Sequence, residues 1–542
     1  MKRKAVAAVL TAVMVASMFT GCGSDNGSSS AKSASAASAA SAANDTVDED
    51  GKVNGIMYQE GLPLVDEGDY TFSIFCDDSS ESGEFIMLDE FKKQTNVDVD
   101  LKIYPYETAT ERLNLDLNSG DYADVIGGWT LSDNAILTYG VNQGVFIPLE
   151  DYFEKYCPNI SAILDLPGVR EKMTAPDGHI YTIPYVCADT TVGYSPYINT
   201  KWLENVGMSM PTTTDEFEAV LKAFKEQDAN GNGDASDEIP FSTDPNNKHI
   251  EAMAGYFGLP MNKLGIAIQN EKVVYGGVSD TYREFLSWFH KLYAEGLVDV
   301  ELYTQDSSTW EGKGNQDLYG VSIAYGSNEF TGIPAAEERG DFDSMPVLNT
   351  DKDGIWLRDT EGFSVYRTQA VITNKAEHPE IICRWFDNAF ALENGIGCNR
   401  GPVGVIVNKE DDGYHAIDTT TLSEEDQEKY SWGNLWPQSL PVDFEFVEEH
   451  PMYDEKKATE EAYEANLTKE IIPSYWIDLD KIDTFSDTNT AIKDFFEQQQ
   501  AQFVCGELDI DNDADWQAYV DGMYSLGLED WVATQGIEEI AK

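Results

Sequence analysis

The stretch from Asp177 to Phe217 changes structural character twice over a short distance, and it constrains the fold more than any other part of the chain. Asp177-Gly178 is a turn signal, and His179 to Val186 gathers β-branched and aromatic residues around Pro184 in the manner of a buried strand. Tyr194 to Asn199 is a second extended piece. Thr200 then opens a short helix, Lys201 to Val206, that stops at Gly207. After Pro211, Thr214 is the expected N-cap of a further helix, with Asp215 and Glu216 in a first turn whose dipole favours anions. Phe217, Val220, Leu221 and Phe224 follow at helical spacing. A chain that leaves a strand, runs extended and starts a new helical layer is passing from one folded body to another.

The segment before this crossing supplies the first body. Tyr70 to Cys76 reads as a strand, Glu84 to Thr95 as a helix and Val97 to Tyr104 as a strand with one wet face, an order that predicts a parallel α/β sheet. Glu111 to Asn118 is a second helix, ended by Gly120, and Ala123 to Ile126 is a short strand running into Gly127-Gly128-Trp129. Ligands of open α/β sheets lie beyond the carboxyl ends of the strands, and Asp77, Asp78 and Trp129 follow such ends. The two carboxylates can accept paired hydroxyls through charge-assisted bonds, or are plain loop acids. Trp129 offers a flat face to the C–H side of a sugar ring, or covers the end of the sheet.

The orders DG-x-IY-x-IPY, Y-x-N-x-x-WLE-x-x-G and P-x-TTDEF, with EF-x-x-x-T-x-V-x-V and LNSGDYADVI upstream and LYAEGLVD downstream, closely resemble extracellular solute-binding proteins of ATP-driven importers, of the large carbohydrate-associated lipoprotein type. The resemblance spans nearly all of residues 69–536. It implies an α/β, two-lobe fold of the type II periplasmic-binding-protein kind, with a hinge and cleft between lobes. Lobe 1 is then expected at 69–185 and 319–370, and lobe 2 at 186–318 and 371–542, the last part including C-terminal helices. The strand Tyr319 to Gly326 would return to lobe 1 and carry Tyr325 at its end. Tyr185 and Trp356 join the expected cleft residues, with Trp310 in a polar loop, Arg400 in the glycine-rich turn Gly395 to Pro402, and Trp436 in an acidic, aromatic-rich segment. Trp310 has surface capping as its alternative, and Arg400 has pairing with one of the many acids.

At the N-terminus, Lys2-Arg3-Lys4 precedes the apolar run Ala5 to Phe19 and then Thr20-Gly21-Cys22, which is an export signal over residues 1–22. The run is too short for a spanning helix. Small residues before a cysteine resemble a lipobox, which implies acylation of Cys22; Phe19 departs from the usual leucine, and an ordinary secretory signal is the alternative. Residues 23–68 are expected to be a flexible tether, Ser/Ala-rich from Gly23 to Asp50 with little apolar surface to bury.

The 36 basic and 97 acidic residues leave a formal charge of −61, which repels phosphate backbones and excludes nucleic acid as a partner. Six cysteines besides Cys22 show no metal-binding spacing and are expected to be buried thiols. The sharpest local motif is Asp228-Ala-Asn230-Gly-Asn232-Gly233-Asp234-Ala-Ser236-Asp237-Glu238, with oxygen side chains at alternate positions and glycine at the sixth, as in the first half of a calcium loop. The twelfth position is Ile239, so Asp237 and Glu238 would have to close the coordination sphere around a structural Ca2+. The resembled family carries a similar calcium loop; a solvated Asn-Gly turn is the alternative.

No HExxH, GxSxG or dinucleotide loop is present, and none of the six histidines is paired at ligand spacing. Chance pairs among 97 acids leave a secreted polysaccharide hydrolase or lyase as the alternative function; a passive adhesin is a third class. The expectation is a monomeric non-enzyme, lipid-anchored outside the membrane, that closes on a carbohydrate, an oligosaccharide by preference, and delivers it to ABC permease subunits.

Overall fold

The computed structural model describes residues 45–78, 86–244, 249–332, 340–417, 422–423, 439–447, 451–537 and 539–541. Two sheets, each with its own core, organise them. The first contains β1 (Tyr70–Asp78), β2 (Val97–Pro105), β3 (Val125–Gly127), β4 (Thr182–Ala188) and, far downstream, β9 (Phe363–Ile372), in the order β2-β1-β3-β9-β4. Strands β1, β2 and β3 are parallel, while β9 lies antiparallel to both β3 and β4. Helices α1 (Ile86–Thr95) and α2 (Tyr106–Ser119) make the parallel connections. The period of two along β1 decides its burial. Phe72, Ile74 and Cys76 enter one core with Trp385, while Phe75 enters another with Ile126 and Val371. Each such aromatic or branched side chain contributes roughly 1.5–3 kcal/mol by leaving water.

The second sheet is β8-β5-β7-β6, built from β5 (Ser195–Asn199), β6 (Ile239–Thr243), β7 (Tyr319–Ala324) and β8 (Phe342–Ser344). β7 pairs with β5 antiparallel and with β6 in parallel. Around it pack α3 (Thr200–Val206), α4 (Thr214–Glu226), α5 (Asp280–Ala294) and the long C-terminal α10 (Ile482–Cys505). Asn199 caps α3 through the Trp202 N–H, and Gly207 ends it in the left-handed region at φ 69°. Thr213, one residue before the expected Thr214, caps α4 by accepting from the Glu216 N–H.

Three expectations about boundaries are corrected. β7 lies in the second sheet and does not return to the first, because its fully buried run fits between β5 and β6. The return is made by β9. α7 (Pro379–Ala389) and α8 (Leu392–Arg400) then pack on the first lobe, through Trp385, Phe386 and Cys398, so residues 371–400 do not belong to lobe 2. The expected glycine-rich turn Gly395 to Pro402 is therefore largely helix. Finally, the folded body begins well before residue 69. Val53, Met57, Leu64 and Val65 are buried in the first core, and Arg384 Nη2 donates to the Gly61 carbonyl at 2.8 Å. Those four apolar residues anchor the stretch assigned to the tether. Cys22 and the leader lie outside the described residues.

Candidate functional site

The chain passes between the sheets at residues 189–194 and again at 357–362, and the two passages are bound side by side. The Asp189 N–H donates to the Gly362 carbonyl at 3.1 Å, and the Asp359 N–H to the Thr191 carbonyl at 2.9 Å. Thr360 Oγ1 donates to the Thr190 carbonyl at 3.0 Å, and the Gly193 N–H to Asp359 Oδ2 at 2.7 Å. These two paired strands permit bending while resisting separation, and the chain crosses again between α8 on the first lobe and α10 on the second.

Helix α9 (Pro451–Tyr463) clasps the connection. Glu460 accepts from both the N–H and the hydroxyl of Thr191, and Glu455 from the N–H and hydroxyl of Ser327. Lys456, buried, donates to the carbonyls of Gly193 at 2.6 Å and Tyr325 at 2.7 Å, with its ammonium over the Tyr325 ring. Burial lowers its pKa to about 8 against the pull of Glu455 and Asp359.

Beside this connection the two lobes present aromatic faces. On the first, Tyr185 and Tyr366 are cross-strand neighbours stacked at 5.4 Å, and Trp129 meets Tyr366 edge-on at 5.5 Å. Trp129 is 49% exposed, an unusual state for the largest apolar side chain. Asp77 holds it there: the carboxylate accepts from the Trp129 N–H at 3.1 Å and the Thr130 N–H at 2.7 Å. Gly128, at φ 101°, lets that loop close on Asp77, because a Cβ there would stand 2.6 Å from the carboxylate. Asp77 is thus spent on backbone donors and positions Trp129.

On the second lobe, Tyr325 meets Tyr194 edge-on at 6.1 Å, and Tyr194 stacks on His249 at 4.0 Å and 11°. His249 sits at φ 46°, and burial lowers its pKa to about 4, so its ring is neutral. Acids interleave with these rings. Asp189 accepts from Ser364 Oγ at 2.5 Å and from the Tyr325 hydroxyl at 3.3 Å. Glu329 accepts from the Tyr325 N–H at 2.9 Å, and Asp244 from Ser307 Oγ at 3.0 Å. Burial, reinforced by Asp244, raises the pKa of both Glu329 and Glu311. Asp189 thereby links the strand of Tyr366 on the first face to Tyr325 on the second.

Of the residues expected to line a cleft, the structure gathers Trp129, Tyr185 and Tyr325, with Arg400 close to Tyr185 and its guanidinium 5.5 Å from the Phe446 ring. It removes two. Trp310, 3% exposed, lies on α6 (Ser307–Asn315), donates from Nε1 to Ser322 Oγ at 3.2 Å and packs on Phe330. Trp356, 2% exposed, is wedged between Tyr256 and Tyr463 in the second core. Apolar context is what separates these from Trp129, and single residue types do not carry it. Trp436 and the Asp78 side chain lie outside the described residues. Tyr366, Tyr194, His249, Asp189 and Glu329 were missed; Tyr366, in the strand FSVYRTQAVI, carries no signal until its register with Tyr185 is known.

The loop at 228–238 has two glycines in the left-handed region, Gly231 and Gly233, and a ladder of side-chain-capped turns. Asn230 Oδ1 accepts from the Asn232 N–H, Asn232 Oδ1 from the Asp234 N–H, and Asp234 Oδ1 from the Ser236 N–H. Asp228 Oδ2 accepts from the Gly233 N–H at 2.9 Å, while the Asn232 amide donates to Asp237 at 2.7 Å. Among the described residues, two buried carboxylate oxygens, Asp228 Oδ1 and Glu238 Oε2, find no hydrogen-bond partner. Burial raises the Glu238 pKa, with Asp237 adding to it. Orphaned anionic acceptors in a tight oxygen-rich turn fit a hard divalent cation.

Among the described residues no helix is long and apolar enough to cross a membrane. Residues 78–395 match the family model described as bacterial extracellular solute-binding protein. The chain is 31% identical, over 73% of its own length and 70% of the other's, to FusA of Streptococcus pneumoniae, a fructooligosaccharide ABC transporter substrate-binding protein. FusA in complex with kestose superposes with a TM-score of 0.76 at 27% identity, covering 86% of this chain and 98% of that one. An EF-hand mutant of FusA in complex with fructo-nystose superposes equally, at 26% identity and the same coverage. The alginate-binding protein AlgQ2 without calcium ion shares the fold, at a TM-score of 0.70, 22% identity and coverage of 88% and 99%.

Proposed function

This chain belongs to the bacterial extracellular solute-binding proteins, and on that premise we propose that it captures an oligosaccharide between its two lobes and delivers it, unaltered, to the permease of an ABC importer. The single observation that carries this is Asp189, which accepts from Ser364 on the strand of Tyr366 and from the Tyr325 hydroxyl, and so sets the aromatic group Trp129, Tyr366 and Tyr185 of one lobe beside the pair Tyr194 and Tyr325 of the other at the paired connection. Flat aromatic faces stack on sugar rings, and the interleaved carboxylates and neutral His249 accept or donate to hydroxyls. Closure about 189–194 and 357–362 brings both faces onto the ligand. On this reading Tyr185, Tyr325, Trp129 and Arg400 would face the ligand, and Asp77 would act as a positioning residue.

Nothing in this arrangement requires bond cleavage. A covalent step needs a nucleophile or an acid and base poised about a substrate, and the cleft acids near Tyr325 are occupied by hydroxyl and backbone donors. The 228–238 loop would hold a structural Ca2+ through Asp228, Asn230, Asn232, Asp234, Asp237 and Glu238, supplying rigidity to the end of α4 and the start of β6. On this reading the export signal and acylation of Cys22 would tether the protein to the outer face of the membrane. Thermal-shift screening of an oligosaccharide panel, followed by chromatography of the ligand recovered, tests the assignment. Stabilisation by at least one oligosaccharide with the ligand intact supports it; shortened products would establish the hydrolase or lyase alternative.

A further inference from the structure

The segment from Leu467 to Ile482 leaves the second lobe, touches the first and returns. Its start is fixed by Trp356, whose N–H donates to the Asn466 carbonyl at 2.8 Å and whose carbonyl accepts from the Thr468 N–H at 2.9 Å. The Arg358 N–H donates to Thr468 Oγ1 at 3.0 Å, and Ile472 packs on the second core. Beyond the segment, Phe485, Ile492 and Phe496 of α10 lie on that same core. Both ends therefore belong to the second lobe.

The middle does not. Trp476 packs on the first-lobe core of Phe75, Ile126 and Val371, and its Nε1 donates to the Lys172 carbonyl at 3.2 Å. Its ring covers the Arg367 guanidinium, whose carbon lies 4.0 Å from the ring centroid. Arg367, buried in β9, donates to the Tyr475 carbonyl at 2.9 Å and to both oxygens of Asp133. Asp133 follows Trp129 along the chain, so the strap reaches the segment that carries that half-exposed ring. The neighbouring Tyr475 turns the other way. Its ring lies over Gly536, where a Cβ would stand 2.9 Å from it, beside Val532 and Ile537 of the second core.

We propose that Trp476 is an interlobe latch: while Tyr475 grips the second lobe, Trp476 docks in the first and fixes how the two lobes stand in the absence of ligand. The Cα atoms of adjacent residues are about 3.8 Å apart, so the two grips have little slack between them. The paired passages at 189–194 and 357–362 leave bending free, and this further attachment restrains it. A guanidinium taken out of water against a Trp face is the setting in which such a contact is strongest. The strap is held by side chains and lies outside regular structure, so it can let go without unfolding either core. The latch concerns the unliganded chain and does not depend on which solute the cleft takes.

The test is pulsed electron resonance on the unliganded chain, with Cys22 and Cys505 replaced by serine. One label pair spans the lobes, Leu115→Cys with Val300→Cys, and one lies within the first lobe, Leu115→Cys with Leu392→Cys; all three positions are exposed. Trp476→Ala is expected to raise the fraction of molecules outside the parent interlobe peak roughly tenfold, with the within-lobe distribution unchanged. Tyr475→Ala frees the other grip from a half-exposed position and is expected to broaden the interlobe pair in the same way, which keeps the latch testable if Trp476→Ala does not fold. An interlobe distribution unchanged in every variant that folds overturns the latch. Equal broadening of both label pairs also overturns it, because Trp476 would then be supporting the first lobe itself.

Discussion

The ammonium of Lys456 lies 4.1 Å from the centroid of the Tyr325 ring and donates to the carbonyl of that same residue at 2.7 Å. One buried cation so joins α9 to the end of β7 and, through Gly193, to the first interlobe passage. Burial takes its pKa from 10.5 to about 8, so the folded chain releases this proton before the unfolded chain does. Between those values the unfolded state binds more protons, and stability rises with pH. Lys456→Met is expected to abolish this contribution: relative to the variant, the wild-type protein gains up to about 3 kcal/mol from pH 8 to 10.5. Denaturant titrations across that range measure it.

A buried carboxyl group gives the opposite sign in the first lobe. Asp387 accepts from the Ile160 N–H at 2.8 Å and from Asn159 Nδ2 at 3.0 Å, yet burial raises its pKa from 3.8 to about 6. The folded state binds the extra proton in that window, so the contribution is full below pH 3.8 and is lost as pH rises through 6. Asp387→Asn retains an acceptor and cannot ionise. The wild-type protein is expected to lose up to about 3 kcal/mol relative to this variant between pH 4 and 7, as read from paired unfolding curves.

Trp129 and Asp77 separate recognition from support. Trp129→Ala removes a half-exposed ring with little core contact, so affinity for the bound oligosaccharide is expected to fall ten- to thirtyfold while the melting temperature changes by no more than about 2 °C. Asp77→Ala strands the Trp129 and Thr130 N–H donors and is expected to cost about 1–3 kcal/mol of stability as well as affinity. Calorimetry and thermal melts on the same preparations distinguish the two patterns.

Calcium removal gives a further test. If the 228–238 loop holds the ion, saturation at a hundred times the dissociation constant adds about 2.7 kcal/mol, and chelation lowers the melting temperature accordingly. Glu238→Gln, at one of the two orphaned oxygens, is expected to weaken the calcium-dependent shift. Equal melting temperatures with calcium and with chelator would refute the site.

Local signals were legible wherever short-range physics dictates structure. The stop of α3 at Gly207, the apolar stripe of α4 and the strand, helix, strand order of the first lobe all follow from spacing and turn chemistry, whereas the cap of α3 is Asn199, one residue before the expected Thr200. The calcium-type loop was visible because its geometry depends on one contiguous segment. Long-range placement was not legible. β7 and β9 are both apolar strands, and only their hydrogen-bonded neighbours decide which sheet each enters. Trp129, Trp310 and Trp356 are alike as residues, and their separate fates depend on Asp77, Ser322 and Tyr463, which are distant in sequence or in a different element. Tyr366 escaped notice because a tyrosine within a strand declares its face only once the register with Tyr185 is fixed.

Movement of the lobes about an unaltered ligand is most directly measured by distance. Spin labels placed at Leu115→Cys on α2 of the first lobe and Val300→Cys beyond α5 of the second, with Cys505 replaced by serine, report the separation by pulsed electron resonance; both label sites are exposed. On adding an oligosaccharide that stabilises the protein, the distance distribution is expected to shift to a new, narrower population, and the sugar to be recovered intact. A distribution that stays the same with the ligand bound, or recovery of cleaved sugar, would contradict capture by closure.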